Sequence, residues 1–251
     1  MHEAFEKQHA EADTIVVFSH GFIGSPKQFE DLTAFAYQHN CAVLSPLLPG
    51  HGGSAAEFSK FGLEDWENHL EAEIRRVSSA YQNLILVGHS IGGLLALNAS
   101  LNKELDIKAV LLLSSPLKLK YSLDQLLVGM QLALFPKRSD ALLTAYRNFN
   151  SIAGTSLFRY LSWRRQALDV YRLMAKTKSN LPAVAVPTVM IHSKKDETVS
   201  LKSADIFQRG LANTERKSVI LEESRHAFYV PKERNVICGE LLGLIKRYTR
   251  S

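Results

Sequence analysis

Cysteine is scarce: Cys41 and Cys238 are the only two in 251 residues. That excludes a disulfide framework and a four-cysteine zinc site, and two buried thiols in a reducing cytosol are the plain expectation. Long apolar runs are missing as well. Stretches such as Ala109-Val110-Leu111-Leu112-Leu113 fall far short of the roughly 18 residues a membrane-crossing helix needs. The first thirteen residues, MHEAFEKQHAEAD, are polar and carry no apolar h-region, so no secretory signal is expected and the cytoplasm is the expected location. Repeats and low-complexity tracts do not occur. With 46% hydrophobic and 22% charged residues, the composition is that of a globular protein, not of a disordered, collagen-like or coiled-coil chain. At about 150 residues per domain, the length suits one large domain or one domain with an insertion.

The net charge of +5 is unevenly spread. Residues 117–182 hold eleven Lys/Arg and three Asp, a surplus of +8, which leaves 19 basic against 22 acidic residues elsewhere. A nucleic-acid-binding face usually draws its basic residues from several elements, so this local surplus argues against nucleic acid as a partner. It fits either a solvated helical face or a surface making weak contact with anionic lipid or an anionic substrate.

Outside that segment, short β-rich runs alternate with helical patterns. The runs Thr14–Ser19, Cys41–Leu44, Leu84–Val87, Lys108–Leu113, Thr188–His192 and Ser218–Leu221 are apolar without alternation, as parallel strands covered on both faces must be. Leu63, Trp66, Leu70, Ile74 and Val77 recur at steps of three and four and predict one helical face. Val236, Ile237, Leu241, Leu244, Ile245 and Tyr248 predict another, with Pro231 suited to its first turn. Such alternation predicts a parallel α/β sheet with right-handed crossovers. Residues 117–182 interrupt it for about 65 positions with no strand. A structureless loop of that length is implausible. Short helices, such as Leu123–Phe135 and Asp140–Phe149, are expected instead, forming an insertion over the carboxyl ends of the strands.

The chemistry centres on Gly88-His89-Ser90-Ile91-Gly92-Gly93, placed between a strand and the apolar helix pattern Leu94-Leu95-Ala96-Leu97. A G-x-S-x-G string is weak alone; between strand and helix it predicts a sharp elbow that lifts the serine hydroxyl clear of the sheet. The bland alternative is a closely packed glycine turn. His89 alternates away from the serine hydroxyl and reads as structural. A serine needs a base, and the base needs an orienting acid. In this architecture the order is Ser, then Asp or Glu, then His. That selects His226, after the strand ending at Leu221, over His192, which precedes the acid. It also selects Asp196, just beyond the strand ending at His192, with Glu197 as the neighbouring alternative. Backbone N–H groups of Ile91, after the serine, and of Phe22, in the loop Ser19-His20-Gly21-Phe22, are the candidate oxyanion donors.

These segments resemble the α/β-hydrolase superfamily, and within it small bacterial carboxylesterases and monoacylglycerol lipases. The resemblance rests on SHGFIGSPKQF (19–29), LSPLLPGHGGS (44–54), LVGHSIGGLLAL (86–97), the helix around Trp66, MIHSKKDETVSLKSA (190–204) and RHAF (225–228). It spans nearly the whole chain except the insertion. It implies an α/β-hydrolase fold, a mostly parallel sheet flanked by helices, with a core of residues 1–116 and 183–251 and a helical cap at 117–182. It places nucleophile, acid and base on Ser90, Asp196 and His226, and the oxyanion donors on Phe22 and Ile91. The sequence departs from the family in two places: many such esterases carry Leu where this chain has His89, and the N-terminal hairpin is shortened or absent. The expected activity is hydrolysis of carboxylic esters, short or medium acyl esters or monoacylglycerols, through an acyl-enzyme on Ser90, with no metal or organic cofactor implied. The same triad also serves thioester hydrolysis and C–C bond hydrolysis or lyase steps, and some relatives keep the fold as ligand receptors.

Overall fold

The computed structural model describes residues 2–120, 150–152 and 163–248. Seven strands form one sheet in the order β1-β3-β2-β4-β5-β6-β7. They are β1 (Phe5–Lys7), β2 (Thr14–Ser19), β3 (Ala42–Ser45), β4 (Asn83–His89), β5 (Ile107–Leu113), β6 (Thr188–Ser193) and β7 (Arg216–Leu221). β1 runs antiparallel to β3; every other pairing is parallel. The described α-helices are α1 (Glu30–Gln38), α2 (Ala55–Phe58), α3 (Leu63–Ser78), α4 (Ile91–Ala99), α5 (Arg164–Asn180), α6 (Lys202–Gly210) and α7 (Pro231–Tyr248). Among the described residues no helix is long and apolar enough to cross a membrane.

The unbroken apolar runs have their physical reason in two core layers. On β2, Ile15 and Val17 face one layer and Val16 and Phe18 the other. On β4, Leu84 and Leu86 are opposed by Ile85 and Val87 in the same way. Strand geometry sends successive side chains to opposite faces, so both sets must be apolar when helices cover both sides. The first layer takes its helical half from Trp66, Leu70 and Ile74 of α3, from α4, and from Leu173 and Met174 of α5. The second takes Leu32 and Ala36 of α1 and Ile237, Leu241, Leu244 and Ile245 of α7. Val236, expected on the buried stripe of that last helix, is 40% exposed. β1 was not expected from periodicity, because its three residues are all exposed and carry no pattern.

Of the segment 117–182, the short helices expected at 123–135 and 140–149 lie outside the described residues. Residues 164–180 form one helix whose buried face joins the first core layer. Two of its basic residues are paired: Arg172 with Asp169 at 2.8 Å and Lys176 with Glu67 at 2.7 Å.

The start of α4 meets the end of β2 with no room for a side chain. A Cβ on Gly92 would stand 2.1 Å from the Ser19 carbonyl oxygen, and one on Gly88 2.3 Å from the Gly93 Cα. Gly92→Ala is therefore expected to destabilise the fold by about 2 kcal/mol or more, since backbone must move. Gly243 sits exposed in α7, where a Cβ would meet nothing within 4 Å. Gly243→Ala should stabilise by roughly 0.5–1 kcal/mol through helix propensity and unfolded-state entropy. Urea midpoints of the two variants against the parent check both signs.

Candidate active site

Ser90 stands between β4 and α4 at φ 54 and ψ −125, in the left-handed half of the map. Such a backbone costs on the order of 1–3 kcal/mol and persists only where its surroundings impose it. Here they do: the Ser90 N–H donates to the Leu113 carbonyl at 2.8 Å, and the glycine contacts draw α4 against the sheet. Ser90 is 7% exposed and lines a cavity of about 410 Å³.

His226 lines the same cavity from the loop between β7 and α7. Its Nδ1 lies 3.0 Å from Asp196 Oδ2. An ionised carboxylate only accepts, so the ring proton sits on Nδ1 and Nε2 is left as the basic nitrogen. Asp196 follows β6 and is 1% exposed. Its other oxygen accepts the N–H groups of Thr198 at 2.8 Å and Val199 at 2.7 Å, which fills both lone pairs of an oxygen that has lost water. Burial alone would lower the His226 pKa, but the Asp196 charge and hydrogen bond, with Glu197 behind them, outweigh it and the net direction is upward. For Asp196 burial pushes up, and the His226 charge and the hydrogen bonds from His226, Val199 and Thr198 bring it below the usual carboxylate value. Among the described residues no hydrogen bond joins Ser90 to His226. Such a contact commonly closes only when substrate arrives.

Phe22 and Ile91 border the cavity beside Ser90. Ile91 opens α4, where an N–H has no intrahelical acceptor. Phe22 belongs to a loop held by its neighbours. The Gly21 N–H donates to Gln28 Oε1 at 3.0 Å, and the Gly21 carbonyl accepts from the Gly24 N–H at 2.9 Å. His20 Nδ1 donates to the same carbonyl at 3.0 Å while its Nε2 accepts the Leu48 N–H at 3.0 Å. Burial, with His51 beside it, holds the His20 pKa far below the ordinary value, so the ring is a neutral spacer. Ile23, the next residue, lies at φ 54, an outlying backbone for a β-branched side chain.

Four of the five residues expected at the site, Phe22, Ser90, Ile91 and His226, line one cavity, and Asp196 lies buried behind it, bonded to His226. The sequence marked His89 as structural but did not disclose which groups hold the site. His89 Nε2 donates to the His226 carbonyl at 2.8 Å, with ring centroids 4.8 Å apart. Burial and the neighbouring His226 lower the His89 pKa to about 3, so this ring stays neutral and fixes the His226 loop. The Glu197 carboxylate accepts the His226 N–H at 3.4 Å. Glu233, in the first turn of α7, accepts the N–H groups of Glu222 (2.6 Å), Glu223 (3.0 Å) and Ser224 (2.7 Å) just ahead of His226. The His89 and Glu197 contacts join residues 137 and 29 positions apart and leave no spacing signature.

The profile of the Alpha/beta hydrolase family matches residues 16–235. The chain is 25% identical over 237 residues to a thermostable monoacylglycerol lipase of Bacillus sp. (strain H-257), covering 93% of this chain and 90% of that protein. It is 23% identical over 244 residues to a carboxylesterase of Bacillus subtilis (strain 168), covering 94% and 93%. A solved structure from work on LipS and LipT, two metagenome-derived lipolytic enzymes, superposes with a TM-score of 0.77 at 21% identity and 98% coverage of both chains.

The pair His226–Asp196 makes a pH prediction. A histidine whose folded pKa is raised adds stability that is complete below its unfolded value of about 6.5 and is lost as pH rises through the folded value. An aspartate whose folded pKa is lowered adds stability above about 3.9 and loses it as pH falls through the folded value. The urea midpoint of Asp196→Asn should therefore fall furthest below the parent's between about pH 4 and 6.5, with the gap narrowing on either side. Imidazole NMR should show His226 titrating above about 6.5 in the parent and lower in Asp196→Asn.

Proposed function

The chain belongs to the Alpha/beta hydrolase family, and from that premise we propose that it hydrolyses carboxylic esters through an acyl-enzyme on Ser90. The observation that carries the reading is the buried His226–Asp196 pair facing the cavity that holds Ser90 on its strained turn. His226 Nε2 takes the Ser90 proton as Oγ bonds to the acyl carbon, and the N–H groups of Phe22 and Ile91 receive the charge that develops on the carbonyl oxygen. His226 then returns the proton to the departing alkoxide as the ester C–O bond breaks. Water, deprotonated by the same ring, releases the acid and restores Ser90. Asp196 keeps the imidazole in the required tautomer and stabilises its cation.

The cavity supports a small neutral ester as substrate. Among the described residues that line it none is Lys, Arg, Asp or Glu, while Phe22, Ile91, Leu119, Val170 and Ala227 give it apolar walls. Its volume of about 410 Å³ suits a short or medium acyl group. The monoacylglycerol lipase and carboxylesterase relatives support the same class.

Ester turnover is expected to exceed thioester and diketone turnover when p-nitrophenyl and glycerol esters are assayed beside an acyl-CoA and a diketone. Ser90→Ala should abolish it, and a fluorophosphonate should label Ser90 alone, as intact mass and peptide mapping will show. Labelling elsewhere, or turnover retained in the alanine variant, removes the assignment. Because only neutral His226 can accept the serine proton, kcat/KM should rise with pH, with a midpoint above about 6.5.

A further inference from the structure

Ile23 adjoins the candidate oxyanion donor Phe22 and keeps a left-handed backbone that a β-branched residue avoids. The carbonyl of Ile23 accepts two hydrogen bonds from one distant residue: the Ser151 N–H at 2.8 Å and the Ser151 hydroxyl at 3.2 Å. Ser151 is 3% exposed. On one side Asn150 Oδ1 accepts the Ile152 N–H at 3.0 Å, closing a tight local turn, and the Ile152 side chain is buried in the first core layer. Upstream of Phe22 the chain is pinned at Gly21 by Gln28 and His20. Phe22 therefore sits between two fixed points, and both Phe22 and Asn150 line the cavity.

We propose that Ser151 is a positioning residue of the oxyanion loop: its paired hydrogen bonds hold the Ile23 carbonyl, and with it the left-handed turn that sets the direction of the Phe22 N–H. The inference rests on the reading of Phe22 as an oxyanion donor. Released from Ser151, Ile23 gains by rotating toward negative φ. Because Gly21 stays pinned, that rotation is absorbed by the peptides around Phe22. The donor acts on charge that exists only in the transition state, so its misdirection lowers kcat and leaves KM nearly untouched.

Four proteins test this on a neutral p-nitrophenyl ester: the parent, Ser151→Ala, Ser151→Thr, and Ser151→Ala combined with Ile23→Gly. Ser151→Ala removes one of the two bonds and should lower kcat roughly tenfold, less than the 10²–10³ typical of losing a whole oxyanion donor, with KM changed less than about twofold. Ser151→Thr keeps the hydroxyl and should retain most of kcat. Ile23→Gly removes the steric bias against left-handed backbone, so in the double variant it should restore most of what Ser151→Ala lost. Unchanged kcat in Ser151→Ala overturns the inference. So does a loss that Ile23→Gly deepens, since Ser151 would then act through general folding and not through the Ile23 turn. A folded parent with no ester turnover removes the functional reading and the inference with it, whereas parent turnover with an unaffected Ser151→Ala removes the inference alone.

Discussion

Everything at the site follows from how closely α4 can approach the end of β2. The Ser19 carbonyl lies where a Cβ of residue 92 would be, and Gly93 lies where a Cβ of residue 88 would be. Only with hydrogen at both positions can the chain leave β4, reverse at once and start a helix. The left-handed strain at Ser90 is the consequence of that reversal. Core packing of the apolar strands and of α4 offsets it, since Leu94, Leu95, Ala96 and Leu97 are all buried. The hydroxyl that results stands at a strand's carboxyl end, where the neighbouring β-to-α loops converge.

A buried ion pair is a doubtful source of stability, because desolvation can exceed the Coulomb gain. At Asp196 the geometry answers that difficulty with two backbone donors on one oxygen and His226 on the other. The direction of both pKa shifts follows: charge is favoured on each partner despite burial. Position is secured separately, by neutral imidazoles and by a carboxylate that gathers N–H groups and one hydroxyl. His89 holds the His226 carbonyl, Glu233 gathers the preceding N–H groups, and His20 ties Gly21 to Leu48. Buried imidazoles suit this work, because a ring kept neutral offers one donor and one acceptor at fixed separation. His51, lowered to about 4 chiefly by burial, belongs to the same set.

The chain order Ser90, Asp196, His226 was legible because each residue follows a strand whose apolar run is unmistakable, and the two glycines around Ser90 have a steric cause that any such elbow shares. The sheet was legible for a related reason: strands covered on both faces cannot alternate, and β2, β4 and β5 do not. Where one face meets water the reading weakened. β7, exposed at several positions, begins two residues before the expected start, and β1, exposed throughout, was missed.

By itself, then, the sequence determined the architecture and marked the candidate reacting groups, since both are written in local patterns: apolar runs, glycine spacing and order along the chain. Tertiary structure decided how those groups are aimed. Ser151 meets Ile23 across 128 residues and His89 meets the His226 carbonyl across 137. Each contact pairs a common polar side chain with a backbone carbonyl. A carbonyl is present at every residue, so no residue type or spacing marks the partner. Only the folded path of the chain selects which carbonyl a given serine or histidine will reach.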